Sequence, residues 1–141
     1  MKVLLTGASG FLGRYVLDSL RRQNIETVML GRQRARNSSF ANFIEADLLA
    51  APEDFSALMT QEKATHLLHL AWYAEPGKFW SSPQNLRWVN ATVRLVEAFC
   101  DAGGQRVVIA GSCAEYEQSQ SLCREDHTPL NPATIYGTAK N

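Results

Sequence analysis

Thr6-Gly7-Ala8-Ser9-Gly10-Phe11-Leu12-Gly13 is the stretch on which the reading of the chain turns. Before it, Lys2 to Thr6 is a short apolar run that reads as a strand. After it, Phe11 to Arg22 sets Leu12, Val16 and Leu20 on one face of a helix. The glycines between them are spaced G-x-x-G-x-x-G. Gly7 allows a tight turn, Gly10 lets backbone N–H groups approach a bound group, and Gly13 lets the helix pack closely on the strand. A helix N-terminus carries partial positive charge, so the group that fits is an anion, and a pyrophosphate suits the spacing. A glycine-rich turn without a ligand is the plainer alternative, disfavoured by the strand before and the helix after.

Outward from this turn the same alternation continues. Thr27 to Leu30, Phe43 to Ala46, His66 to Leu70 and Arg106 to Ala110 read as four further strands. Glu53 to Gln61, Pro83 to Ala102 and a last segment opening near Asn131 or Pro132 read as helices, with Gly103-Gly104 closing the long one. Strands separated by crossover helices run parallel, and right-handed crossovers leave few arrangements. The expected fold is a Rossmann-type, doubly wound α/β sheet in the order 3-2-1-4-5, forming one domain over residues 1–141. The chain stops inside its sixth βα unit, so the fold is expected to be truncated after the fifth strand and the start of the following helix. Apolar surface left exposed by such a truncation predicts self-association or poor solubility, and little catalysis by the chain alone.

Composition narrows the classes of ligand. A chain of 141 residues with 45% hydrophobic residues buries one core. Fourteen basic residues balance fourteen acidic ones, so no net field favours nucleic acid or an anionic membrane. No apolar run has membrane-spanning length, and Met1 to Thr6 is too short before its Gly to be a signal peptide, which makes a cytoplasmic location the expectation. Cys100, Cys113 and Cys123 are odd in number and lack C-x-x-C spacing, as reduced thiols do and disulfide frameworks or zinc sites do not. His66 and His69, three apart on a strand, face opposite sides, and His127 is isolated, so no metal is expected. Trp72, Tyr73, Phe79 and Trp80 flank Glu75-Pro76-Gly77 and either stack on a ring of a ligand or pack against further structure.

The end of the second strand bears on the choice of dinucleotide. An NAD-preferring site of this fold places a carboxylate there for the ribose 2′-hydroxyl, whereas Met29-Leu30-Gly31-Arg32 has none. Arg32 stands where a 2′-phosphate would sit, with Arg34 or Arg36 as second donors, so NADP is expected over NAD. Solvated loop arginines are the alternative. Asp47, at the end of the third strand, reads either as an acceptor for an adenine amino group or as a turn residue bonded to its own backbone.

Tyr136-Gly137-Thr138-Ala139-Lys140 spaces Tyr and Lys four apart, on one side of a helix. An ammonium near a phenol favours the phenolate, which is what a tyrosine needs to act as general base. Ser112 follows the fifth strand in Gly111-Ser112-Cys113-Ala114-Glu115-Tyr116, at the edge where sheets of this kind hold ligands. Its hydroxyl either donates to a substrate oxygen while Tyr136 takes a proton and hydride passes to or from nicotinamide, or only caps a turn.

Thr6 to Gly13, Leu70-Ala71, Ser112 with Tyr116, and Tyr136 with Lys140 together resemble the extended short-chain dehydrogenase/reductase family, most nearly its epimerase/dehydratase branch. The resemblance covers all 141 residues and matches the amino-terminal part of such proteins. It implies Ser112, Tyr136 and Lys140 as catalytic residues. It implies Gly7, Gly10, Phe11, Leu12, Gly13, Arg32, Asp47, Leu48, Leu70 and Ala71 as the lining of the cofactor site. The implied substrate is a sugar carried on a nucleotide, epimerised or reduced by a complete protein in which a homodimer is a compatible assembly. Three departures stand out. Trp88 occupies a position where members often carry Asn, and Asn90 lies about 200° further round the helix. Cys113-Ala114 replace the Asp-Glu of sugar dehydratases, leaving Cys113 as a substitute acid or a bystander, and Glu117 stands where Gly is commoner. The competing class is a dinucleotide-binding module, or an inactive fragment, without chemistry.

Overall fold

Five short strands rich in Val, Leu and Ile supply the sheet: β1 (Lys2–Thr6), β2 (Glu26–Gly31), β3 (Asn42–Glu45), β4 (His66–His69) and β5 (Arg106–Ile109). Among the described residues four α-helices accompany them: α1 (Phe11–Arg22), α2 (Phe55–Glu62), α3 (Gln84–Asp101) and α4 (Ile135–Lys140). The computed structural model describes residues 1–36, 38–39, 41–50, 55–117 and 122–141. The expected start of the second helix at Glu53 lies outside them. Packing divides the chain into two units, Met1–Ala71 with Thr92–Ile109, and Trp72–Ala91 with Ala110–Asn141.

The first unit holds the whole sheet, parallel throughout and ordered β3-β2-β1-β4-β5 as expected. Leu4 lies in register with Val28 and Leu67, and Leu5 with Met29 and Leu68. Residues alternate between faces along a strand, so both faces of the central strands carry apolar side chains. Leu5 and Met29 join Ala8, Leu17, Ala35 and Ala41 in one core, with Val16, Leu20 and Phe43 packed against it. Leu4, Val28 and Leu67, at the alternate positions, are equally buried. Phe99 and Leu95 of α3 are buried as well. The helix ends at the expected glycines. Gly103 takes φ +85°, its N–H bonds the Cys100 carbonyl, and the Gly104 N–H reaches back to Phe99.

The second unit is built from the first turns of α3, the segment before it, a 3₁₀ turn at Cys113–Glu115 and α4. Tyr116 and Leu130 pair through an isolated antiparallel bridge. The last helix opens at Ile135, later than the expected Asn131 or Pro132. Thr134 is extended, and its hydroxyl accepts from the Gly137 N–H at 3.0 Å, so a threonine cap sets the start rather than the proline.

Candidate functional site

In the first unit the glycine turn is built by close approach. Gly7 sits at φ +71°, where an L side chain is strained, and a Cβ there would lie 2.7 Å from the Ala71 nitrogen and 2.8 Å from the Leu70 carbonyl carbon. A Cβ on Gly13 would collide with the Gly7 carbonyl oxygen and the Ala8 backbone. The turn is therefore clamped between the chain leaving β4 and the first turn of α1. Gly10 is the helix N-cap, its N–H bonds the Gly7 carbonyl at 3.0 Å, and no side chain among the described residues caps the helix. Ser9, Gly10, Phe11 and Leu12 are exposed, which leaves the positive end of α1 open. The donor set fits the pyrophosphate of a dinucleotide.

A buried polar chain fixes this arrangement. The Ala71 N–H donates to Thr6 Oγ1 at 3.2 Å, Thr6 Oγ1 lies 2.7 Å from His69 Nδ1, and His69 Nε2 lies 2.9 Å from Thr92 Oγ1. The Thr6 hydroxyl has one proton and two lone pairs, so it bonds the Ala71 N–H and the His69 ring at once whichever imidazole nitrogen carries the hydrogen. His69 is thus a structural link between β1, β4 and α3. Its strand position is visible in the sequence, but its two threonine partners lie 63 and 23 residues away.

Arg32 is exposed directly after β2. Arg34, expected as a second donor, is engaged by its own loop: its guanidinium donates to the Ala41 carbonyl at 3.1 Å and the Ser38 carbonyl at 3.4 Å, and lies over the Phe43 ring. Arg36 is exposed. Asp47 lies two residues past β3, where Oδ1 accepts from the Leu49 N–H at 3.0 Å, a turn bond that uses one of its two carboxylate oxygens. Leu48 beside it is buried.

In the second unit Ser112 caps the 3₁₀ turn. Its Oγ accepts from the Ala114 N–H at 3.2 Å, and its own N–H donates to Glu115 Oε1 at 2.5 Å. α4 docks on this turn through Gly137, where a Cβ would collide with the Ala114 carbonyl oxygen and lie 2.8 Å from Pro132 Cβ. Tyr136 and Lys140 are both half-buried. Phe79 and Trp80 meet the Tyr136 ring edge-on at 4.8 and 5.5 Å, and the Tyr136 N–H donates to the Trp80 carbonyl at 3.2 Å. The Lys140 ammonium lies 4.1 Å from the centre of the Trp72 ring, which packs against Trp88. Burial holds the Lys140 ammonium below the ordinary lysine range, and the Glu115 carboxylate offsets part of the effect. No direct hydrogen bond joins Ser112, Tyr136 and Lys140 among the described residues. The signal for Trp72, Phe79 and Trp80 in the sequence is the aromatic density between β4 and α3.

Cys100, Cys113 and Cys123 are exposed and unbridged. Among the described residues no three His, Cys, Asp or Glu side chains are grouped as metal ligands, and no helix is long and apolar enough to cross a membrane.

A parallel sheet in this order, with a glycine-rich β1–α1 turn at an open helix N-terminus, defines a Rossmann-type fold. Residues 3–141 match the model of the NAD dependent epimerase/dehydratase family, and the chain belongs to that family. It is 28% identical over its full length to 52% of a dTDP-6-deoxy-L-talose 4-dehydrogenase (NAD(+)) from Aggregatibacter actinomycetemcomitans. It is 30% identical, over 99% of its length, to 48% of a UDP-glucose 4-epimerase from Mycolicibacterium smegmatis. Among solved structures, MoeE5 in complex with UDP-glucuronic acid and NAD superposes with a TM-score of 0.80 at 30% identity, covering 99% of this chain and 46% of that one. The chain therefore spans about half the length of the curated relatives it matches.

Proposed function

We propose that the chain is the dinucleotide-binding part of a nucleotide-sugar epimerase or reductase, with Tyr136 as general base and Ser112 and Lys140 as its catalytic partners. The observation that carries the reading is the docking of α4 on the Ser112 turn at Gly137, which brings Tyr136, Lys140 and Ser112 into one small unit. The Ser112 Oγ already accepts from Ala114, so its own proton is left to donate to a substrate oxygen. Tyr136, framed by Phe79 and Trp80, takes the hydroxyl proton of the sugar carbon being oxidised, and returns it on reduction. The Lys140 ammonium, one helical turn on, favours the phenolate over the phenol. When bound, the nicotinamide dinucleotide supplies or accepts hydride.

The cofactor residues are Gly7, Gly10, Phe11, Leu12 and Gly13 at the pyrophosphate, Arg32 and Asp47 with Leu48 towards the adenosine, and Leu70 and Ala71 beside the turn. We assign NADP in preference to NAD on the residue that follows β2, an exposed arginine in a chain segment with no acid. The substrate class is a sugar on a nucleoside diphosphate, supported by the UDP- and dTDP-sugar enzymes among the relatives. A homodimer in the cytoplasm completes the reading.

The test is turnover of UDP- and dTDP-hexoses with NADPH or NADP by a complete protein carrying this chain and by its Tyr136→Phe variant. Loss of about a hundredfold or more in kcat, with dinucleotide binding retained, is the expected result. Dinucleotide binding with no turnover by either form would support the second reading, a binding module without chemistry. The half-length match to the relatives is what keeps that reading in play.

A further inference from the structure

Asn85 is fully buried at the start of α3, and every polar atom of its amide has a partner. Its Nδ2 donates to the Phe79 carbonyl at 2.7 Å and the Ser82 carbonyl at 2.9 Å, and its Oδ1 accepts from the Trp72 indole N–H at 2.9 Å. Two carbonyls on one side and an N–H donor on the other leave only one orientation for the amide. The indole is therefore held at its polar edge, and Trp88 packs on it with ring centres 6.1 Å apart and planes 31° apart. Against the Trp72 ring lies the Lys140 ammonium, 4.1 Å from its centre and well inside cation–π range. Among the described residues no hydrogen bond or ion pair reaches that ammonium. Glu115 acts on it only at longer range, its carboxylate being bonded to the Ser112 N–H.

We propose that Trp72 is a positioning residue for Lys140: its indole face fixes where the ammonium sits, while Asn85 and Trp88 fix the indole. The inference rests on Lys140 belonging to the catalytic set. A ring face suits this task because it stabilises the charged amine without accepting its proton in a fixed direction, so the three N–H donors stay available to a phenolate and a ligand. It also opposes the burial that disfavours the ammonium at this position.

The chain has four lysines, Lys2, Lys63, Lys78 and Lys140, so an NMR spectrum of the protein labelled at the lysine ε-carbon resolves each one. In the unmodified chain the Lys140 ε-protons are expected upfield of the other three through the ring current, with cross-relaxation to the Trp72 ring and a titration midpoint below those of Lys2 and Lys78. A Lys140 signal at the same position as that of Lys63 overturns the proposal without any variant. Trp72→Leu keeps an apolar wall but removes the π face. It should abolish the upfield shift and lower the midpoint further, whereas Trp72→Phe should keep both near their original values. Identical midpoints for the Leu and Phe variants would mean that the ring acts only as packing, and the proposal fails. These readouts need no turnover, so they are decided independently of the Tyr136→Phe result. Where turnover is present, Trp72→Leu should lower kcat by roughly tenfold or more with little change in KM, and Trp72→Phe should restore most of it. An unchanged kcat in the Leu variant overturns the positioning role.

Discussion

At the scale of single residues, the proposed preference between two dinucleotides that differ by one phosphate rests on Arg32. A Cβ built on Gly31 meets nothing within 4 Å, so the end of β2 is open beside it. Arg34 is drawn back onto the Ser38 and Ala41 carbonyls, leaving Arg32 as the arginine nearest the strand end in the chain. A charge-assisted contact to a 2′-phosphate contributes about 1.5–3 kcal/mol, or roughly a ten- to hundredfold difference in affinity. Arg32→Ala should therefore weaken NADPH binding by that factor and leave NADH binding unchanged, as followed by nicotinamide fluorescence. Equal losses for both dinucleotides, or none for either, would make Arg32 a bystander. The tight turn at Gly7 is legible in the sequence because its meaning depends on position relative to a strand end, the same position that motivates the proposal for Arg32. The bracing role of Arg34 is not, because it depends on the path of the loop that brings two backbone carbonyls to its guanidinium. Asp47 was legible only as a pair of alternatives, and its bond from the Leu49 N–H occupies one of the two carboxylate oxygens.

At the scale of elements, α4 has six residues, too short to be stable on its own propensity, so its place depends on what it packs against. Gly137 is where it touches the Ser112 turn, backbone against backbone. A methyl group there cannot be relieved by a side-chain rotation, since the obstacle is the Ala114 carbonyl oxygen. Gly137→Ala should cost about 1–3 kcal/mol in urea unfolding and raise hydrogen exchange at Ala114 and Tyr136, while Ala at the exposed Thr138 should change neither. Equal behaviour of the two variants would show that α4 does not depend on this contact. Apolar periodicity made α1 legible, and it matches its expected limits residue for residue, while the other helices were legible from their start and stop signals. The start of α4 was not, because Pro132 gives a stronger local signal for a first helical residue than Thr134 gives for a cap, and the Thr134 hydroxyl decides the matter through a bond three residues on.

At the scale of the whole molecule, strand order followed from the alternation of strands and helices with right-handed crossovers, which is why five short runs sufficed to order the sheet. The division into two units was not legible, because each is assembled from segments distant in sequence, and α3 contributes to both. The sheet also has an unequal pair of edges. β5 is the edge strand beside β4, and its side chains Val108 and Ile109 are 51% and 45% exposed, although Val and Ile are residues that sheets of this kind bury. An apolar edge strand with an unpaired row of N–H and C=O groups is a template for another strand. The chain by itself is therefore expected to self-associate, with a sedimentation coefficient that rises with concentration. Val108→Lys places a charge on that edge and should shift the distribution towards monomer, while a lysine at Val93, 48% exposed on α3, should leave it unchanged. A monomer at all concentrations in the unmodified chain, or equal effects of the two lysines, would mean that the β5 edge does not drive association.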